Sequence, residues 1–273
     1  MKKKIFLTGA TGFVGRHLAL NLMANGYDVI SLVRDVRKAK TIPQLRGANF
    51  FLLDISKTYQ LPSFPPDSIL IHCAWEDVRN TTSIKHIEEY FPQHLRFIKK
   101  VIEQGVKKIL VTGTCYEYGL RYGPVSASTI PMPNTPYACA KDSFHKALRN
   151  LQLDFDFQLL WARLFFMYGD GQAEESIVSL LDAALERGDK EFKMSHGEQL
   201  LDYMPVECVA DKIRILLNYD DGAYNVCSGK PISVRRLIER RMVEKKRFIA
   251  LNLGFYEYRK HESLALWGAD PIS

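Results

Sequence analysis

Tyr137 and Lys141 stand four residues apart, a spacing that puts two side chains on one face of a helix. A cationic lysine beside a phenol favours the phenolate and lowers a tyrosine pKa from about 10. The pair can then work as a general acid or base. The spacing alone says little, since with 13 tyrosines in the chain roughly one such pair arises by chance. Position strengthens it. Pro136, a natural first-turn residue, stands just before Tyr137 where a crossover helix is due. Thr114 lies in Val-Thr-Gly-Thr-Cys-Tyr-Glu-Tyr-Gly, at the end of a strand run. Ligands bind at such carboxyl ends in open parallel sheets. Its hydroxyl can hold a substrate carbonyl oxygen; taken alone it reads as a turn threonine.

A second group of residues suits a dinucleotide. Thr8-Gly9-Ala10-Thr11-Gly12-Phe13-Val14-Gly15 follows a strand run and opens a helical one. Glycines at 9, 12 and 15 permit a tight turn, close approach of backbone to a pyrophosphate, and close helix–strand packing. The helix amino end adds free N–H groups and a positive dipole. In this context a dinucleotide site is favoured over a ligand-free glycine turn. Gly9, Thr11, Gly12, Phe13, Val14 and Gly15 are the candidate contacts. Arg34 ends the second strand run, where an acid would select NAD and an arginine NADP. Asp35 is one place too late for the ribose. Arg34 therefore favours NADP over the alternative of a plain surface arginine, and NAD stays open. Asp54, after the third run, suits the adenine amino group or a simple loop cap.

These residues need a scaffold. Apolar β-branched runs at Lys3–Thr8, Asp28–Val33, Phe50–Leu53, Ser68–His72, Lys108–Thr112 and Gln158–Arg163 alternate with helical stretches. The pattern predicts βαβ units and a doubly wound parallel α/β sheet of Rossmann type. Val14, Leu18 and Leu22 predict a helix over Phe13–Ala24, ended by Gly26. A longer helical stretch, Thr81 to Gln104, holds Pro92, which predicts a kink or two helices. Beyond Gly169 the pattern changes. A helix over Glu175–Arg187, a strand near Glu191–Met194, a helix over Glu207–Leu217, a strand at Ala223–Cys227 and a helix from Ser233 predict a smaller mixed part. We therefore expect a dinucleotide-binding domain over 1–168 and a smaller substrate-binding cap over 169–273, intertwined with it.

Composition narrows the classes. Of 273 residues, 47% are hydrophobic and 25% charged, which argues against disorder and fibrous structure. No run of about 18 apolar residues occurs, so no membrane span is expected. The basic start breaks at Thr8-Gly9, too soon for a signal peptide, and a cytoplasmic location follows as the expectation. The net charge is +6 but scattered, so no nucleic-acid partner is expected. Arg235, Arg236, Arg240, Arg241, Lys245, Lys246 and Arg247 suit the solvated face of one helix, or a pull on an anionic substrate. Cys73, Cys115, Cys139, Cys208 and Cys227 lack metal-site spacing, so neither a zinc site nor a disulfide framework is expected.

Over nearly its whole length the chain resembles an extended short-chain dehydrogenase/reductase of the NAD-dependent epimerase/dehydratase family. The carriers are the Thr8–Gly15 turn, Asp54, Ile71-His72-Cys73-Ala74, Thr114 with Tyr118-Gly119, and Tyr137-x-x-x-Lys141. Arg163-Leu-Phe-x-x-Tyr-Gly169, Asp202-Tyr-Met-Pro-Val206 and Tyr224-Asn-Val-Cys-Ser228 continue the series. The stretch Phe255–Gly268 is similar to sugar-nucleotide reductases. The resemblance implies Thr114, Tyr137 and Lys141 as a catalytic triad. It implies Ile55, Cys73, Ala74, Tyr137 and Lys141 as further cofactor contacts, and Trp75, Cys115, Tyr116 and Phe166 toward substrate. It also implies a homodimer and a nucleotide-linked sugar as substrate. Family dehydratases carry Asp-Glu after the threonine, where this chain has Cys115 and Tyr116. Glu117 is one position late and would point elsewhere on an extended segment. The usual asparagine and arginine of the substrate site are replaced by Phe166 and Leu201. Many relatives run past Ser273, so a shortened cap is expected. The reading is an NADP(H)-dependent reductase of a nucleotide-linked deoxysugar, at C4. The alternatives are an NAD-dependent 4-epimerase and a non-catalytic cofactor-sensing protein.

Overall fold

Strands that read as near-continuous apolar runs are those covered on both faces, and that is how they are used here. In the computed structural model, which describes residues 3–57, 60–259 and 262–272, the order begins β1 (Lys4–Thr8), α1 (Phe13–Ala24), β2 (Asp28–Val33), α2 (Val36–Lys40), β3 (Asn49–Leu52) and β4 (Ile69–His72). There follow α3 (Phe91–Glu103), β5 (Lys108–Thr114), β6 (Gly123–Val125), α4 (Pro136–Leu151), β7 (Gln158–Leu164) and β8 (Phe166–Tyr168). The chain continues with α5 (Ile177–Arg187), β9 (Glu191–Lys193), β10 (Leu200–Leu201), β11 (Tyr203–Pro205), α6 (Val206–Leu216) and β12 (Gly222–Val226). It closes with β13 (Ile232–Ser233), α7 (Val234–Lys245), β14 (Ala250–Asn252) and β15 (Ala265–Gly268).

Seven strands form one parallel sheet in the order β12-β7-β5-β4-β1-β2-β3. The chain winds outward from β1 through β2 to β3, then crosses to β4 on the other side of β1. The strand order therefore reverses between β1 and β4, and the crevice at such a switch point is where open α/β sheets bind ligands. Thr8 and His72 end these two strands, one opposite the other.

Helix α1 ends where glycine allows it. Gly26 sits at a φ of +84°, a left-handed turn costly for other residues. The stretch around Pro92 is divided as its proline requires. A π-helical turn (His86–Tyr90) precedes α3, and Pro92 falls in the first turn of α3, where its missing N–H costs nothing. Residues 81–84 are not helical.

One strand lies elsewhere than expected. The run at 223–227, assigned on sequence to the smaller part, pairs in parallel with β7 and closes the main sheet. Helix α6 before it packs with α1 into the core on one sheet face, and α3 and α4 cover the other. A third cluster lies between α5, α7 and a four-stranded sheet, β13-β10-β15-β6. It also takes in Cys115, Tyr118 and Val125, which precede residue 168. Of the stretch 255–268, positions 260–261 lie outside the described residues, while Ala265–Gly268 pairs with β6 and β10.

Candidate active site

Thr114 is the last residue of β5 and caps a 3₁₀ turn (Cys115–Tyr118), its hydroxyl accepting from the Tyr116 N–H at 3.3 Å. Thr135 caps α4 in the same way, accepting from the Ala138 N–H at 3.3 Å. The start of α4 packs against this turn at the end of β5, and the Tyr137 hydroxyl meets Thr114 in a hydrogen bond. Tyr137 is 9% exposed and Lys141, one turn on, is 2% exposed. The three residues singled out on sequence are therefore neighbours.

Their electrostatics differ from the expectation. Burial pushes the Tyr137 phenol well above its usual value, with Glu117 adding to the effect. The Lys141 ammonium faces the Trp75 ring instead, 4.3 Å from its centroid, and burial lowers its pKa to about 8. The predicted depression of the phenol is absent because desolvation outweighs any pull from the cation.

Glu117 also departs from expectation. The 3₁₀ turn rotates it into the protein, where it is fully buried. Its carboxylate accepts from the Thr114 N–H at 2.8 Å, Arg163 Nε at 2.7 Å and Trp161 Nε1 at 3.1 Å. With its lone pairs so occupied it braces the turn under Thr114. Cys115 is buried in the third core cluster, so its expected place toward substrate is not what the structure gives. Tyr116 and Phe166 do lie together, their ring centroids 5.9 Å apart, and Tyr116 is 6.5 Å from Tyr137.

Beside the triad, at the β1/β4 crevice, is a cleft of about 160 Å³. Gly9, Thr11, Gly12, Arg34, Ile55, Cys73 and Ala74 line it as expected, and Trp75, expected toward substrate, lines it too. The cleft fits a dinucleotide. Gly12 caps α1 without a side chain, leaving the first N–H groups of the helix unclaimed by a cap. Gly9, at a φ of +71°, lies so close to β4 that a Cβ there would be 2.6 Å from the Ala74 nitrogen. Six expected contacts are not on its wall, Tyr137 and Lys141 of the triad among them. Val14 packs into the core, Phe13 against the His17 ring, and Gly15 against the Gly9 backbone. Asp54 accepts from the Ser56 N–H at 3.1 Å and hydroxyl at 2.6 Å, the loop cap held open as its alternative. Glu76, on the cleft wall, was not foreseen; its only sequence signal is that it follows the fourth strand by four residues.

A second cavity, of about 250 Å³, opens among Tyr168, Tyr203, Ser228, Lys230, Arg240 and Arg241. Phe166 links the two regions, its ring 5.4 Å from that of Tyr203. Sequence reasoning missed this cavity. Arg241 is not on a solvated face: it holds Asp182 through two bonds, of 2.9 and 2.6 Å. The signal available was its place beside the buried residues Ile238 and Met242 of α7. Arg240 and Lys230 are exposed, and among the described residues neither forms an ion pair. Among the described residues no cluster could hold a metal ion, and no helix is long and apolar enough to cross a membrane.

A profile of the NAD dependent epimerase/dehydratase family matches residues 5–227. The dTDP-6-deoxy-L-talose 4-dehydrogenase (NAD(+)) of Aggregatibacter actinomycetemcomitans is 30% identical over 97% of this chain and 99% of its own length. The UDP-glucose 4-epimerase of Halalkalibacterium halodurans is 26% identical, over 86% of this chain and 78% of that one. The solved UDP-glucuronic acid 4-epimerase from Bacillus cereus, in complex with UDP-glucuronic acid and NAD, superposes with a TM-score of 0.79. It covers 97% of this chain and 90% of that one at 20% identity, a likeness of fold.

Proposed function

This chain belongs to the NAD dependent epimerase/dehydratase family, and we propose that it interconverts a keto and a hydroxyl group at C4 of a nucleotide-linked deoxysugar, working as a reductase. The observation that carries this is the Tyr137 hydroxyl bonded to Thr114, with Lys141 one turn on and its ammonium against Trp75 of the dinucleotide-type cleft. The similarity to a 4-dehydrogenase of a dTDP-linked 6-deoxysugar supports the substrate class.

In this reading Thr114 holds the C4 oxygen by a hydrogen bond and presents it to the Tyr137 hydroxyl. The Gly9–Gly12 turn and the open end of α1 would hold a nicotinamide dinucleotide, which would supply the hydride. Tyr137, its phenol pushed up by burial, is protonated at neutral pH and gives its proton to the oxygen as charge develops there. That state suits reduction of a ketone. Lys141, positive below about pH 8 and set against the cleft residue Trp75, would hold the nicotinamide ribose of a bound cofactor. Glu117, already bonded to Arg163 and Trp161, has no free base to offer for removing water, which supports reduction over dehydration. Lys230 and Arg240 would meet the substrate diphosphate in place of the family residues replaced by Phe166 and Leu201.

Arg34 supports NADP(H), with a charge-assisted bond to the 2′-phosphate. NAD(H) is the second reading, supported by Glu76, whose carboxylate lies 3.9 Å from Arg34. The test is absorbance at the nicotinamide band with 4-keto-6-deoxysugar nucleotides and each reduced cofactor. Consumption matched by a C4 alcohol is expected. Interconversion of sugar nucleotides without net absorbance change would make the chain an epimerase, and cofactor binding with neither outcome would remove the catalytic reading.

A further inference from the structure

We propose that Glu76 is a specificity-determining residue for the cofactor: a carboxylate held across the cleft from Arg34 that offsets the pull of the arginine on a 2′-phosphate, so that the cleft takes NAD(H) as well as NADP(H). The inference rests on the reading of this cleft as the dinucleotide site.

The argument begins in the core. Thr8 ends β1 and His72 ends β4, and the Thr8 hydroxyl is 2.8 Å from His72 Nδ1. His72 Nε2 is 2.8 Å from Nδ1 of His94 on α3, and His94 Nε2 is 2.8 Å from Glu76 Oε2. Both imidazoles are fully buried. One assignment of protons satisfies every link. A carboxylate only accepts, so His94 donates from Nε2 and leaves Nδ1 to accept from His72 Nε2–H. His72 Nδ1 then accepts from the Thr8 hydroxyl, whose oxygen accepts from the Ala74 N–H at 3.3 Å. Burial keeps both rings neutral, as this assignment requires.

The chain therefore ends on a side-chain oxygen of Glu76, which accepts from His94. Burial pushes Glu76 up, but the His94 bond and Arg34 outweigh this and hold it below the usual carboxylate range. Its position is fixed as well. The Trp75 ring stacks on His94, with centroids 4.5 Å apart at 12°, and its Nε1–H donates to His86 at 3.1 Å. Glu76 Oε2 is held by His94, and Oε1 faces Arg34 at 3.9 Å on the cleft wall. Glu76 is partly solvated, so its charge acts on the mouth of the cleft and not only on the core. A 2′-phosphate drawn to Arg34 is repelled by this charge; a 2′-hydroxyl carries no charge to be repelled.

The test is titration of NADH and NADPH against the parent protein, Glu76→Gln, Glu76→Asp and Arg34→Ala. Gln keeps an acceptor for His94 and removes only the charge. It should raise NADPH affinity by about tenfold, the scale of one like-charge contact in a partly solvated site, and leave NADH within about twofold. Asp restores the charge and should return the ratio toward the parent. A purely structural role for the chain would change both cofactors alike; a ratio unmoved by Gln overturns the inference. Failure of the underlying reading looks different, since a parent protein that binds neither cofactor removes the dinucleotide site itself. Arg34→Ala should weaken NADPH binding; if it leaves NADPH unchanged there is no pull for Glu76 to offset, and the inference is overturned.

Discussion

A run of aromatic rings, Trp75, Tyr137, Tyr116, Phe166 and Tyr203, joins the cofactor-side cleft to the basic cavity, but the two are built from different materials. The cleft is made of backbone: a glycine turn, an uncapped helix end and the ends of β1 and β4, locked by a buried chain from Thr8 to Glu76. The cavity is made of side chains from β8, β11, β13, α7 and the loop at Ser228–Lys230, with charges on long flexible stems. A site of the first kind tolerates little change of shape and fixes its ligand by geometry. One of the second kind can exchange residues and keep its charge.

The largest effect should come from the backbone of the cleft. A Cβ on Gly15 would overlap the Gly9 carbonyl oxygen and lie 2.7 Å from its carbon, and both partners are main chain that cannot step aside. Gly15→Ala should therefore cost about 3 kcal/mol, the upper range for overpacking, and abolish tight cofactor binding. At Gly12 the nearest atom is 3.1 Å away, so Gly12→Ala should cost less. Urea unfolding with and without cofactor measures both. A Gly15→Ala protein of parental stability would mean the two regions are equally plastic.

Tyr137→Phe comes next. It removes a hydroxyl and leaves the ring, so fold and cofactor affinity should persist. Turnover should fall by about 10²- to 10⁴-fold, the usual weight of a general acid. The loss should appear in single-turnover hydride transfer. Near-parental single-turnover rates would move the proton donor to another group.

The contrast also explains what could be read without coordinates. Helix α1 was legible to the residue, because apolar spacing and Gly26 are local signals. Thr114, Tyr137 and Lys141 were legible because strand end and helix start are sequence-defined places. Glu117 was misread, since an extended segment was assumed where its own capping bond with Thr114 tightens the chain into a turn. The Tyr137 phenol was misread because spacing reveals a neighbouring cation but not the burial that outweighs it. The chain from Thr8 to Glu76 joins residues up to 64 apart, and no local pattern pairs His72 with His94. Arg240 and Arg241 are adjacent in sequence and identical in type, yet only Arg241 is held by Asp182.

That last difference gives the smallest effect and the sharpest separation of the two regions. If the cavity receives the diphosphate of the substrate, Arg240, which forms no ion pair among the described residues, should carry part of that contact, and the paired Arg241 should not be able to without releasing Asp182. Arg240→Ala should raise KM for the nucleotide sugar by about tenfold, toward the low end for hydrogen bonds to a charged group because the side chain is exposed. The value of kcat and the affinity for cofactor should stay near the parent. Because the contact is solvated, the gap between the two proteins should narrow as ionic strength approaches 1 M, where screening acts over about 3 Å. The inhibition constant of the free nucleoside diphosphate should move by the same factor, since the diphosphate is the shared group. Arg241→Ala is the control. It strips a bidentate partner from Asp182 and should lower the unfolding midpoint before it alters KM. An Arg240→Ala protein with parental KM at low salt would place the diphosphate outside this cavity, and the aromatic rings between Tyr137 and Tyr203 would then lead to no substrate site.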